Sequence, residues 1–111
     1  MAVDQELAAR IRGLVALDPR VTEKKMFGGI CFLLDGRILV GVRRSGALLV
    51  QCGAEAAELA IRREGVTHMR MGERDAANFI DVEGDSLETE EGLSEWIALA
   101  ERYLMTLPPK G

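Results

Sequence analysis

The spacing of apolar residues predicts that the chain begins with a helix. Between Leu7 and Leu17, apolar side chains recur every three or four positions, which is the period of an amphipathic helix. Asp4 stands where an N-cap is expected, and Asp18-Pro19 ends the pattern. The first element is therefore a helix that buries one face.

Four short apolar runs follow this helix and predict four strands. The runs are Val21–Phe27, Ile30–Leu34, Ile38–Arg43 and Leu48–Cys52. They are separated by the pairs Gly28-Gly29, Asp35-Gly36 and Ser45-Gly46, which are typical of tight hairpin turns. We expect an antiparallel meander.

After the fourth strand the pattern becomes helical again and then irregular. A second helix is predicted over residues 55–63, with Gly65 as its terminator. Residues 66–78 are expected to be irregular apart from a short strand around Met69 and Met71. Phe79–Val82 is predicted to form a further short strand.

The last helix has the most complete helical stripe in the chain. Thr89 is a suitable N-cap, and Pro108-Pro109 ends the helix. The stripe consists of Leu93, Trp96, Ile97, Ala100, Leu104 and Leu107. The order of elements predicts one α+β domain over residues 1–111, with two layers and the order α-β(3–4)-α-β(2)-α.

The register of the Asp35-Gly36 hairpin decides which residues share a face of the sheet. A two-residue type I′ turn pairs Leu34 with Arg37. One face then carries Cys31, Leu33, Ile38, Val40 and Val42, and the other carries Ile30, Phe32, Leu34 and Leu39. A three-residue turn instead gathers Ile30, Phe32, Leu34, Ile38, Val40 and Val42 on one face, opposite Cys31, Leu33 and Leu39. Both faces are apolar in either register, so helices on both faces or a second copy must cover them, and we expect a homodimer.

Composition limits the class of protein. The chain has 111 residues, 48% hydrophobic and 29% charged, which are values of an ordinary globular domain. No apolar run approaches the roughly 18 residues of a membrane span, and the N-terminus lacks the features of a secretory signal. Cys31 and Cys52 lie in apolar runs without CxxC spacing, which indicates buried thiols in a reducing compartment. We expect a cytoplasmic protein with no membrane association.

Charge is distributed unevenly along the chain. Residues 20–74 carry ten basic and six acidic side chains, whereas residues 75–111 carry two basic and nine acidic ones. Such polarity could orient two copies or a partner. Arg43-Arg44 and Arg62-Arg63 are the candidate nucleic-acid residues, but the net charge of −4 and the lack of aromatic residues around them argue against direct nucleic-acid binding.

The sequence contains no recognisable catalytic, cofactor-binding or metal-binding constellation. Gly28-Gly29 joins two predicted strands and lacks the Lys-Ser/Thr of a phosphate-binding loop, so a tight turn or bulge is the better interpretation. His68 is the single histidine and has no evident nucleophile or metal-ligand partner. Asp81, Glu83 and Asp85 lack the glycine and glutamate of a calcium loop and are interpreted as a solvated hairpin edge.

Short motifs in the middle of the chain and near its end resemble a known family. KMFGG at residues 25–29 is followed by ICF at 30–32, DGR at 35–37 and LVGV at 39–42, and LPPK stands at 107–110. Together they closely resemble the N-terminal domain of the TfoX/Sxy family of bacterial competence regulators. The resemblance implies an α-β(3)-α-β(2)-α, secretion-chaperone-like fold that is often dimeric, and a role in transcription regulation. It brings no catalytic residues.

The chain departs from that family in two respects. The family often has Gly-Arg-Pro-Met before the late strand, where residues 72–77 read GERDAA. Full-length competence regulators also have a C-terminal helical domain, so the resemblance implies a stand-alone N-terminal domain.

We therefore expect a non-enzymatic regulatory or protein-interaction module that needs no cofactor. Its expected partners are a second copy and an unidentified regulatory protein. The expected interface residues are Met26, Phe27, Gly28, Gly29, Cys31, Leu33 and Leu39. One alternative is a small-molecule-binding domain or minor enzyme with a pocket near Trp96, Met69 and His68. A third interpretation is direct nucleic-acid binding through the four arginines named above.

Overall fold

The computed structural model describes residues 5–26, 28–71 and 74–108, and for residues 71, 74 and 75 it describes the backbone only. The helices are α1 (Gln5–Val15), α2 (Ala54–Ala60) and α3 (Glu90–Met105). The strands are β1 (Val21–Met26), β2 (Gly29–Leu34), β3 (Arg37–Val42), β4 (Leu48–Gln51), β5 (Val66–Met71) and β6 (Arg74–Val82). A single 3-10 turn spans Asp85–Leu87 within the described ranges. This order confirms the predicted two-layer α+β class.

The six strands form one antiparallel sheet in the order β1-β2-β3-β4-β6-β5. The first four strands are a meander, as predicted. The chain then crosses through α2, and β6 rather than β5 pairs with β4. The edges of the sheet are therefore β1 and β5.

All three helices pack on one face of the sheet and form a single core with it. Each contributes its buried stripe, because helical spacing places those residues on one side. The helical residues in the core are Leu7, Ala8, Ile11, Ala57, Ala60, Leu93, Trp96, Ala100 and Leu104. We call the opposite, helix-free side of the sheet the outer face.

The β2–β3 hairpin has the two-residue turn of the first predicted register, but neither register is complete. Asp35 and Gly36 have φ values of 51° and 85°, as a type I′ turn requires, and Leu34 is opposite Arg37. A bulge then places Phe32 opposite Val40 and leaves Leu39 as the extra residue. As a correction to that register, Val40 and Val42 therefore lie on the helix-covered face together with Ile30 and Phe32.

Element boundaries differ from prediction mainly in the polar stretches. The first helix ends at Val15, and the apolar Leu17 is 98% exposed. β6 begins at Arg74, well before the predicted Phe79, because pairing with β5 extends a strand that lacks an apolar pattern. Thr89 caps α3 as predicted, accepting a hydrogen bond of 3.0 Å from the Gly92 amide. The predicted cap Asp4 lies outside the described residues.

The helices in the described part of the chain are each too short or too polar to cross a lipid bilayer.

Candidate interaction surface

The outer face is built by the strand residues that alternate with the core residues. Because residues opposite each other on paired strands share a face, one row crosses the middle of the sheet. The row consists of Lys24, Cys31, Gly41, Leu49, Asp81 and Thr67. Leu33 and Ile38 form a second, apolar row beside it, next to Thr22 of β1.

The middle of the outer face is closed by an ion pair. Arg43 donates from Nη1 to both carboxylate oxygens of Asp81, each at 3.0 Å. The Arg43 amide donates a hydrogen bond to the carbonyl of Ala47, which precedes β4. Asp81 lies on the far side of β4, opposite Leu49. The Arg43 side chain must therefore cross β4 beside Leu49 to reach Asp81. Leu49 is only 1% exposed although no helix covers it.

Burial shifts the pKa values of Asp81 and Cys31 on this face, and that of Cys52 in the core beneath the helices. Burial raises the pKa of Asp81, and the opposing attraction of Arg43 is the smaller effect. Burial also raises the pKa of the Cys31 thiol and raises that of Cys52 to about 11. Both thiols are free and buried, as predicted, and stay protonated at neutral pH. They therefore pack as small apolar groups.

The exposed apolar part of the outer face lies toward the β2–β3 turn. Leu33 and Ile38 are half-buried there and lie outside the core cluster that the helices form with the sheet. At the opposite end, Met26 is half-buried and Gly28 is exposed. The outer face thus has a closed centre and two accessible ends.

The structure places most of the predicted interface residues on the outer face. Met26, Gly29, Cys31 and Leu33 share it by strand register, and Gly28 belongs to the β1–β2 turn at its end. Phe27 lies outside the described residues. The placement of Leu39 is corrected, because the two-residue turn puts it on the helix-covered face beside Phe32, where it is 2% exposed. The bulge that brings Val40 and Val42 to the same face is marked by nothing in the surrounding sequence.

Gly28 of the β1–β2 turn and Gly29 at the start of β2 allow the chain to pack closely. Met26 is opposite Gly29, and Gly28, which lies between them in the chain, has a φ of 74°. A Cβ at Gly29 would lie 2.0 Å from the carbonyl oxygen of Val42. The tight turn or bulge expected at this pair is confirmed as a turn at Gly28, whereas Gly29 is the first residue of β2.

The four arginines predicted for nucleic-acid binding do not form one patch. Arg43 is committed to Asp81, and Arg44 lies against the β1–β2 turn at Gly28. Arg62 and Arg63 follow α2, before β5, which is three strand positions from β3. At about 4.8 Å per strand this separates the two pairs by roughly 14 Å.

Trp96, one of the three residues expected around a ligand pocket, lines a groove on the helix layer. His68 Nε2 lies 3.1 Å from a carboxylate oxygen of Glu58, and strand alternation places Met69 on the outer face. Trp96 is 3% exposed and donates its indole N–H to Ser86 Oγ at 3.0 Å. Neither His68 nor Met69 lines the groove beside Trp96. Within the described residues, no cluster of three or more potential metal ligands occurs.

Comparison with known proteins identifies the family. No curated protein and no solved structure matches the chain significantly. The family model of the TfoX N-terminal domain matches residues 14–103, which include the whole sheet and most of α3. The chain therefore belongs to the TfoX N-terminal domain family.

Proposed function

We propose that this protein is a non-enzymatic regulatory module that works in the cytoplasm by binding other proteins through its outer face. Membership in the TfoX N-terminal domain family supports a competence-regulator-like module, and that family is not a known enzyme family. The observation that carries the proposal is a helix-free sheet face with half-buried Leu33 and Ile38.

The first proposed occupant of this face is a second copy of the chain. Uncovered apolar side chains on a sheet favour association, and a two-fold axis through the face would bring the Leu33 and Ile38 row of each copy together. The Arg43–Asp81 pair would lie beside this contact. A desolvated charge is costly when it loses its partner, so the pair would favour the alignment of the two copies that keeps Arg43 and Asp81 together.

Light scattering coupled to size-exclusion chromatography tests the dimer. The wild-type chain of 12.1 kDa should elute at about twice this mass. Leu33→Glu should elute as a monomer, because a carboxylate would be buried in the contact. Leu59→Glu is the matched control, since Leu59 is 59% exposed on α2 and lies away from the outer face. A monomeric wild type, or a dimeric Leu33→Glu with normal circular dichroism, would contradict the dimer.

The regulatory role has a separate readout. Raised expression of the wild-type chain in its host should change transcription of competence genes, as measured by RNA sequencing. Leu33→Glu, expressed to the same level, should lose most of this effect, whereas Leu59→Glu should keep it. An unchanged transcript profile with the wild-type chain would contradict the regulatory role.

A further inference from the structure

The helix layer carries a groove that the outer-face proposal does not use. On α3, Glu95, Ala98, Leu99 and Arg102 are spaced by three, four and seven residues, so they form one stripe along the helix. This stripe runs beside the buried stripe that contains Trp96 and faces the turn after α2. Together with Trp96 and Arg63 it lines a groove of about 370 Å³.

Two arginines present positive charge in this groove. The guanidinium of Arg63 lies over the Trp96 ring, 4.6 Å from its centroid, and this stacking fixes its direction. Arg102 comes from the last turn of α3 and is exposed. Neither arginine belongs to an ion pair among the residues that the structure describes.

The charge of the groove is opposite to that of the chain. Its lining has two arginines and one glutamate, whereas the whole chain has a net charge of −4. Ala98 and Leu99 are half-buried and give the groove an apolar floor between the charged ends. A ligand that matches this lining needs carboxylates flanking an apolar group.

We infer that the groove binds an acidic segment of a partner protein, with carboxylates on Arg63 and Arg102 and an apolar side chain on Ala98 and Leu99. Guanidinium groups bind carboxylates through paired hydrogen bonds, which favours this chemistry. A volume of 370 Å³ is at the lower end of ligand sites and suits a few side chains of a peptide.

Nucleic acid fits the surroundings less well. A strand long enough to bind would extend past two arginines and meet other charges. Glu90 and Glu91 at the other end of the same helix, and Glu88 just before it, are exposed and would repel phosphates. A protein segment, unlike a nucleic-acid strand, can carry its negative charges only where it contacts the groove and so avoid these glutamates.

The single tryptophan of the chain allows a direct test. Trp96 is the only tryptophan, so intrinsic fluorescence reports on this groove. The probe is a short synthetic peptide of glutamate and leucine, with a lysine-and-leucine peptide, single-stranded DNA and inorganic phosphate as comparisons. We expect a saturable change in Trp96 emission with the acidic peptide. Arg102→Glu should weaken binding at least about tenfold.

Arg62→Glu is the matched control, since it makes the same charge change at an exposed neighbour that does not line the groove. It should bind the acidic peptide within about twofold of wild type. Equal weakening by both variants, or no saturable response, would overturn the inference. Tighter binding of DNA or phosphate than of the peptide would overturn it in favour of that ligand. A dimer broken by Arg102→Glu and not by Leu33→Glu would instead assign the groove to a second copy.

Discussion

Asp81 and Asp18 show how position sets the behaviour of the same carboxyl group. Asp81 is half-buried on the outer face, and burial raises its pKa despite the Arg43 guanidinium. Asp18 is also half-buried, but hydrogen bonds from the Arg20 side chain and backbone lower its pKa to about 2. The pKa values of the two carboxyl groups are therefore shifted in opposite directions.

These shifts predict opposite contributions to stability in acid. The folded-state pKa of Asp81 lies above its unfolded value, so its contribution is fully present below the usual 3.8 and is lost as the pH rises through the folded pKa. The contribution of Asp18 is present above 3.8 and is lost as the pH falls through about 2. Carbon-detected NMR titration of the side-chain carboxyls should place the Asp81 midpoint above 3.8 and the Asp18 midpoint near 2. An Asp81 midpoint below 3.8 would contradict its burial.

At the scale of elements, the two-residue turn between β2 and β3 decides which leucines are in the core. Leu39 is 2% exposed in the core cluster, whereas Leu33 is half-buried on the outer face. Two leucines only six residues apart therefore have different energetic roles.

Alanine substitutions should separate these roles. Leu39→Ala should lower the free energy of unfolding by about 2–4 kcal/mol, because it opens a cavity in a closed core. Leu33→Ala should lower it by less than about 1.5 kcal/mol, because its site opens to solvent. Urea denaturation, measured at a concentration where the protein is monomeric, gives both values. Equal losses, or the reverse order, would show that Leu39 is not a core residue.

A second pair of substitutions tests the close approach of β2 to β3. Gly29→Ala should cost at least about 2 kcal/mol, since its Cβ would lie 2.0 Å from the carbonyl oxygen of Val42. Gly13→Ala should stabilise the protein by up to about 1 kcal/mol, because Gly13 is in α1 and a Cβ there meets no atom within 4 Å. Thermal unfolding gives both shifts. A neutral Gly29→Ala would contradict the close approach of β2 to β3.

Local chemistry explains what could be predicted from the sequence. The turn at Asp35-Gly36 and the cap at Thr89 depend on a few adjacent residues, and both are confirmed. The bulge at Leu39, the early start of β6 and the Arg43–Asp81 pair depend on which strands become neighbours. That pairing joins residues far apart in the chain, and hydrophobic period alone carries no information about it. The sequence therefore predicts only part of the set of residues that lie together on the outer face.

At the scale of the whole molecule, one core joins every helix to the sheet. The cluster includes residues of α1, α2 and α3 and of all strands from β2 to β6. A radius of gyration of 12.9 Å is close to the value of about 13 Å for a compact domain of about 100 residues. A core without internal divisions favours cooperative unfolding.

We therefore expect two-state unfolding of the monomer in urea. Trp96 reports on the helix layer by fluorescence, and far-ultraviolet circular dichroism reports on the sheet and helices together. The two transitions should have the same midpoint and the same slope. Separate midpoints would show that residues 1–111 contain more than one cooperative unit.

The pairing of β4 with β6 has a consequence for the order of folding. It is the one strand ladder between the first four strands and the last two in the described sheet, and its partners are about thirty residues apart. During synthesis, β4 leaves the ribosome before β6 exists, so Leu48 and Val50 stand for a time on an open strand edge. Such an edge can pair with another nascent chain. Newly made copies are therefore most exposed to mispairing in the interval before the β5–β6 hairpin docks.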